Sequence, residues 1–168
     1  MVGAKRGKWG RRAVELALIV ALLLGLRAWQ QRDLATGAAP ELEGYLLDGT
    51  PVSLAEMRGA PVLVHFWAVW CPVCALEEDA VSAIARDHQV ITVAMQSGDS
   101  GEVAAYLKEN GLDFPVLNDP DGLYANRWGV SAVPASFVLD GEGRIRFTEV
   151  GYSTGIGLRV RLWMAGFV

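Results

Sequence analysis

The two cysteines of this 168-residue chain, Cys71 and Cys74, are the only ones it has, and two residues separate them. An apolar run over 61–67, which reads as a buried strand, precedes them, and a stretch over 71–87 with helical periodicity follows. No other feature constrains the fold as much. A strand delivers a Cys-x-x-Cys to the first turn of a helix, where unpaired backbone N–H groups and the helix dipole favour a thiolate on Cys71. Pro72 suits that first turn because its missing N–H costs nothing there. Cys74 lies one turn further in, close enough to close a disulfide. The spacing therefore predicts thiol–disulfide exchange. A permanent bridge across so small a loop would add little by constraining the unfolded chain.

Charge divides the chain unequally. Seven of the fifteen Lys and Arg fall in the first 32 residues beside one acid, Glu15, whereas the rest carries eight basic and eighteen acidic residues. An acidic body without a basic cluster excludes nucleic acid as a partner. The head has five positive charges before Ala13, then the apolar run 14–26, interrupted by Glu15. As a helix, the segment from Trp9 to Trp29 would be about 30 Å long with both indoles at headgroup depth. The expected organisation is a cytoplasmic basic stub and transmembrane anchor over 1–29, a linker over 30–40 and a folded domain over 41–168. The positive-inside rule then places one pass in a bacterial inner membrane and the catalytic domain in the periplasm. A cleaved signal peptide is the competing reading, although the small-residue sites at 35–37 and 37–39 lie about ten residues past the apolar run. Either way the domain is exported, which is consistent with a disulfide-forming pair.

The remaining segments alternate. A hairpin over 42–53 turns at Asp48-Gly49, and Ser53 with Glu56 fits a capping box opening a short helix that ends at Gly59. The helix after the cysteines presents Leu76, Ala80, Ala83 and Ile84 on its apolar side. A buried strand over 90–95, a helix over 101–110 capped by Ser100 and stopped by Gly111, an extended piece over 114–117 and a short helix over 121–128 follow. Strands over 135–139 and 144–150 pair through the turn 140–143. A last helix over 155–165 turns Ile156, Leu158, Leu162 and Ala165 inward, with Trp128 and Trp163 in the core. The order predicts an α/β domain, a mixed central sheet flanked by helices with an N-terminal β-hairpin extension.

The segment from Val62 to Cys74, ending Trp70-Cys71-Pro72-Val73-Cys74, resembles the active site of thioredoxin-like proteins, and 129–140, with Val133-Pro134, resembles their second signature loop. The Asp48-Gly49…Ser53-Leu54…Arg58-Gly59 lead-in is similar to the membrane-tethered, TlpA-like branch. The Cys-Pro-Val-Cys sequence, 93–98 and 151–163 resemble the suppressor-of-copper-sensitivity D subfamily. The resemblance covers about residues 40–165. It implies the thioredoxin fold, with Cys71 as nucleophile and Cys74 as resolving thiol. It also implies a cis peptide bond before Pro134, with Val133 offering backbone groups to a client strand. Trp70 and Pro72 belong to the rim that clients touch.

His65 occupies the place where thioredoxin has a buried Asp that takes the resolving thiol's proton. A neutral imidazole could do the same, and a buried His bonded to a carbonyl is the alternative. Glu77 matches an acid of the tethered branch, and a solvent-facing acid in the first helical turns explains it equally well. Tethered cytochrome-c-maturation reductases carry a Glu after the second long strand. Here the region reads Gln96-Ser97-Gly98-Asp99, which leaves Asp99 as a displaced substitute at best.

Peroxidase chemistry needs a Thr three residues before the reactive Cys, where Ala68 stands, and haem attachment needs a His where Ala75 stands. The expected function is a membrane-anchored thiol–disulfide oxidoreductase without cofactor or metal, acting on exported clients. The reductase direction is favoured because Val73 supplies no cation to stabilise the thiolate. A membrane electron donor such as a DsbD-like protein would recharge it. The alternatives are a cytochrome-c-maturation-type reductase and, in another class, a thioredoxin-fold copper-binding chaperone.

Overall fold

The computed structural model describes residues 32–167 and, before them, Arg12, Val14, Glu15, 17–22 and Gly25. The chain divides into two compact units, Met1–Asp33 and Leu34–Val168. The described residues of the first are exposed, those up to Gly25 helical and Arg32 and Asp33 in a turn. Among the described residues no helix is long and apolar enough to cross a membrane. The anchor expected over 1–29 lies for the most part outside the described residues.

The second unit holds a six-stranded mixed sheet in the order β1-β8-β7-β4-β5-β6. Its strands are β1 (Gly37–Ala38), β4 (Val62–Trp67), β5 (Gln89–Met95), β6 (Val116–Asp119), β7 (Ala135–Leu139) and β8 (Arg144–Val150). A separate hairpin, β2 (Glu43–Tyr45) and β3 (Pro51–Ser53), turns at Asp48-Gly49 as expected. Strand β4 runs parallel to β5 and antiparallel to β7, in the centre of the sheet. All six of its residues are buried, as the continuous apolar run requires of a strand covered on both faces. The two-residue alternation sends Val62, Val64 and Phe66 to one core, with Ile91, Trp128 and Phe137, and Leu63 and Trp67 to the other, with Val81, Ile84, Leu158 and Leu162. His65 shares the parity of Leu63 and Trp67.

Four helices complete the unit: α1 (Glu78–Ala85), α2 (Ser100–Asn110), α3 (Leu123–Arg127) and α4 (Gly155–Ala165). The structure corrects several local expectations. Residues 34–40, read as linker, supply β1 and put Leu34 in the core. Ser53 makes no side-chain cap, and the turn that follows, Leu54–Met57, is 3-10. Asp99, not Ser100, caps α2, in a reciprocal box with Glu102. A carboxylate accepts the backbone N–H at that position and complements the helix dipole as a hydroxyl does not. The helix after the cysteines buries Ile84 as expected, but Val81 is buried in place of Leu76, which is 70% exposed. Helix α4 matches its predicted span, but Ile156 and Trp163 point outward, 79% and 65% exposed.

Candidate active site

Strand β4 ends at Trp67, and the chain then turns, through Cys71 N donating to Ala68 O at 3.1 Å, into the cysteine pair. Cys71 and Cys74 form a disulfide with Cα atoms 5.3 Å apart. The pair sits in a tight turn that leads through a 3-10 segment, Cys74–Leu76, into α1. The helical environment expected for Cys71 is therefore a single N–H: Cys74 N donates to Cys71 Sγ at 3.2 Å. Such a donor favours the anionic form of the sulfur. Cys74 is fully buried and Cys71 keeps a small exposed area, so the outer sulfur is the one a partner can reach.

The loop before β7 supplies the opposite wall. The Val133–Pro134 peptide bond is cis, and Cys71 Sγ lies 3.6 Å from the Val133 carbonyl oxygen. Gly151 N donates to Pro134 O at 2.8 Å, so the end of β8 fixes the same loop. The segment 95–97 clamps the cysteine loop from its other side. Trp70 Nε1 donates to Gln96 O at 3.0 Å, and Val69 N donates to Ser97 Oγ at 3.1 Å. Gln96 adopts a left-handed φ of 47°, a conformation uncommon for a residue with a side chain. These contacts hold Trp70, 58% exposed, beside the sulfurs together with exposed Pro72 and Val73. Asp99, considered from sequence as a stand-in for an active-site Glu, is occupied as the α2 cap.

A buried pair of titratable groups links β4 to the turn after the cysteines, where Glu77 N donates to Cys74 O at 2.9 Å. His65 is 2% exposed and Glu77 is 1% exposed, with His65 Nε2 and Glu77 Oε2 3.9 Å apart. His65 Nδ1 pairs with Ser136 Oγ on the neighbouring strand at 2.9 Å. Glu77 Oε1 accepts from Ser153 N in the loop before α4, whereas Oε2 has no hydrogen-bond partner among the described residues. Burial lowers the His65 pKa from 6.5 to about 4 and raises that of Glu77 from 4.5 to about 7, the Ser153 N–H opposing the second shift. At neutral pH the imidazole is uncharged and the carboxyl stands close to its midpoint. Such a pair can hold one proton and give it up within the physiological range.

The solvent-facing reading of Glu77 is thus overturned. A helix whose inner stripe runs through Val81 and Ile84 also turns the residue four positions before Val81 inward. That stripe was the available signal. The hydrogen-bond partners Ser136, Ser153 and Ser97 carried no signal in sequence, because serines of this kind stand wherever a backbone needs one more bond.

Known proteins share this architecture. Residues 36–148 match the sequence profile of the AhpC/TSA family. A thioredoxin-like protein of Haemophilus influenzae is 35% identical over 123 residues, 72% of this chain and 73% of its own. The thiol:disulfide interchange protein DsbE of Xylella fastidiosa is 32% identical over 144 residues, covering 80% and 73%. Among solved structures, the exposed lipoprotein thioredoxin of Streptococcus pneumoniae superposes with a TM-score of 0.66 at 26% identity, covering 74% of this chain and 99% of that one.

Proposed function

The chain belongs to the AhpC/TSA family of thioredoxin-like proteins and is a protein thiol–disulfide oxidoreductase, and we propose that it works as a membrane-anchored reductase of exported proteins. The observation that carries this reading is the placement of Cys71 Sγ, the accessible sulfur, against the Val133 carbonyl. A client strand that pairs with the Val133 backbone brings its own disulfide to Cys71. The Cys71 thiolate attacks one client sulfur, forming a mixed disulfide and releasing the other client sulfur as a thiolate. Cys74, deprotonated, then attacks Cys71 Sγ, closes the Cys71–Cys74 disulfide and releases the second client thiolate. Two electrons pass to the client. A membrane electron donor of the DsbD type returns them.

Glu77 and His65 act in the second step, as acceptors of the proton that Cys74 must lose. The buried thiol has no route to water, and Glu77, whose backbone N–H donates to Cys74 O at 2.9 Å, is a buried titratable group beside it in the chain. Trp70 and Pro72 extend the client surface on the exposed side. Peroxide reduction finds no support despite the family name, because Ala68 stands where the peroxidatic Thr is needed. The likeness to DsbE favours a cytochrome-c-maturation-type reductase as the second reading, and the capping role of Asp99 weighs against it. Disulfide exchange is favoured over copper carriage by the same named relatives. The basic, apolar head and the lipoprotein neighbour support a tether, with the domain on the periplasmic side.

The test is capture. Cys74→Ser, expressed in cells, is expected to retain exported clients as mixed disulfides on Cys71, released by reductant. The reading fails when Cys71→Ser captures the same set.

A further inference from the structure

We propose that the Ser136 hydroxyl is a positioning group for the buried pair. It lets the His65 ring carry its one proton on either nitrogen, so that the tautomer follows the charge on Glu77; this role rests on the reading of Glu77 and His65 as acceptors of the Cys74 proton. The sheet brings the groups together in register. His65 of β4 stands opposite Ser136 of β7, and Ser136 stands opposite Glu149 of β8, so all three side chains lie on one face. On that face Leu63 and Trp67, which flank His65 along β4, share a core with both cysteines and with Val81, Ile84, Leu158 and Leu162. Ser136 is 3% exposed, and its hydroxyl pairs with His65 Nδ1 at 2.9 Å.

Hydrogen bonding leaves the pair two states. At neutral pH the buried imidazole is uncharged and carries a single N–H, whereas a hydroxyl both donates and accepts. Glu77 Oε1 is committed as the acceptor of Ser153 N. A proton on the carboxyl therefore belongs on Oε2, which has no hydrogen-bond partner among the described residues and lies 3.9 Å from His65 Nε2. At that distance the state of one atom decides the state of the other. When Oε2 carries the proton, Nε2 presents its lone pair, the ring proton sits on Nδ1, and Nδ1–H donates to Ser136 Oγ. When Glu77 is ionised, Nε2–H faces the carboxylate, Nδ1 is bare, and the Ser136 O–H donates to it. The proton that Cys74 loses is the one that Oε2 gains, and the ring keeps one N–H throughout.

Only a group that can reverse its hydrogen bond serves both states. Ser136→Ala would leave Nδ1–H a buried donor without a partner, which folded proteins tolerate less than an unpaired acceptor, and so would hold the ring as Nε2–H. That N–H favours the carboxylate, and Glu77 would titrate at lower pH. The charged groups around the pair have partners of their own. Glu149, opposite Ser136, takes Arg161 of α4, and Glu78, next to Glu77, takes the Tyr106 hydroxyl of α2. Arg159 of α4 holds Asp87 and the Ala83 carbonyl, and Asp79 is exposed. On the other side of His65, β5 presents Thr92, whose hydroxyl accepts from Trp67 Nε1 and donates to Pro115 O.

The chain has two histidines, so labelling with nitrogen-15 histidine shows two imidazoles, His88 being assigned by His88→Gln. Long-range proton–nitrogen correlation spectra of the oxidised full chain in detergent micelles, across pH 5–9, read which nitrogen carries the proton. Stopped-flow release of a mixed disulfide on Cys71 gives the pH profile of resolution. Wild type is expected to pass from Nδ1–H to Nε2–H with the titration of Glu77, at about 7. Ser136→Ala is expected to hold Nε2–H throughout and to lower the midpoint of the resolution profile by about one pH unit, a tenfold change in proton affinity. Ser136→Thr, which keeps the hydroxyl, is expected to restore both. One tautomer on both sides of the wild-type titration, or the same switch in Ser136→Ala, overturns the role of Ser136 and leaves the acceptor reading, which His65→Ala tests, in place. A switch lost in Ser136→Ala with an unmoved resolution profile overturns the acceptor reading, and the proposal with it.

Discussion

Glu77→Gln isolates one half of the buried pair, and the structure gives both the sign and the size of its effect. Burial raises Glu77 from 4.5 to about 7 and lowers His65 from 6.5 to about 4. At about 1.4 kcal/mol for each tenfold change in proton affinity, each shift links about 3 kcal/mol of stability to pH. The signs oppose. The His65 contribution is present above pH 6.5 and is lost as pH falls toward 4, because the unfolded imidazole binds the proton that the folded one refuses. The Glu77 contribution is present below pH 4.5 and is lost as pH rises to 7, because the folded carboxyl keeps a proton that the unfolded one has released. Between pH 4.5 and 6.5 each state binds one proton, the folded protein on Glu77 and the unfolded chain on His65, so the pair leaves stability flat. The amide keeps an acceptor for Ser153 N and cannot titrate. Relative to wild type, Glu77→Gln is therefore expected to gain up to about 3 kcal/mol as pH rises from 4.5 to 7. Its own stability curve should climb from pH 4 to 6.5 as the His65 term is uncovered. Urea titrations of the oxidised protein, followed by tryptophan fluorescence across pH 4–8, measure this. Subtracting the wild-type curve cancels the other carboxylates. A difference that does not change with pH would show that Glu77 ionises alike in both states and refute the argument.

His65→Ala is expected to slow resolution of the mixed disulfide, and a rate unchanged across pH 6–8 in stopped-flow release would remove His65 from the mechanism. The reductase direction predicts a Cys71–Cys74 potential below about −220 mV in glutathione buffer, and a value near −120 mV would reverse the assignment. Gly155→Ala would place a Cβ 2.9 Å from Ala80 Cβ, where the first residue of α4 meets α1. Overpacking there is expected to cost about 1–3 kcal/mol, seen as a lowered Tm, and no loss would mean that the two segments separate easily.

The parts of this fold that were legible in sequence are those that one residue type or one period determines. Six consecutive buried positions in β4, the Asp48-Gly49 turn, the Gly111 stop and the spacing of the cysteines needed no tertiary information. The cis bond before Pro134 came from family resemblance, since nothing local to Val133 requires it. The errors share a cause. Reading the helix after the cysteines from Leu76 set the start of its apolar stripe one residue away from Glu77, although Ile84 at the far end was read correctly, and one residue is about 100° of rotation, enough to put Glu77 in solvent when it lies in the core. Glu77 is also a residue type that burial disfavours, so composition argued against the correct setting even though Val81 argued for it. The same rule failed in the opposite direction at Trp163 and Ile156, where apolar character argued for burial on a helix that had only one face to bury. A sequence assigns polarity to positions. It does not say how many sides of an element another element covers, and both the buried acid and the exposed aromatic stripe depend on that count.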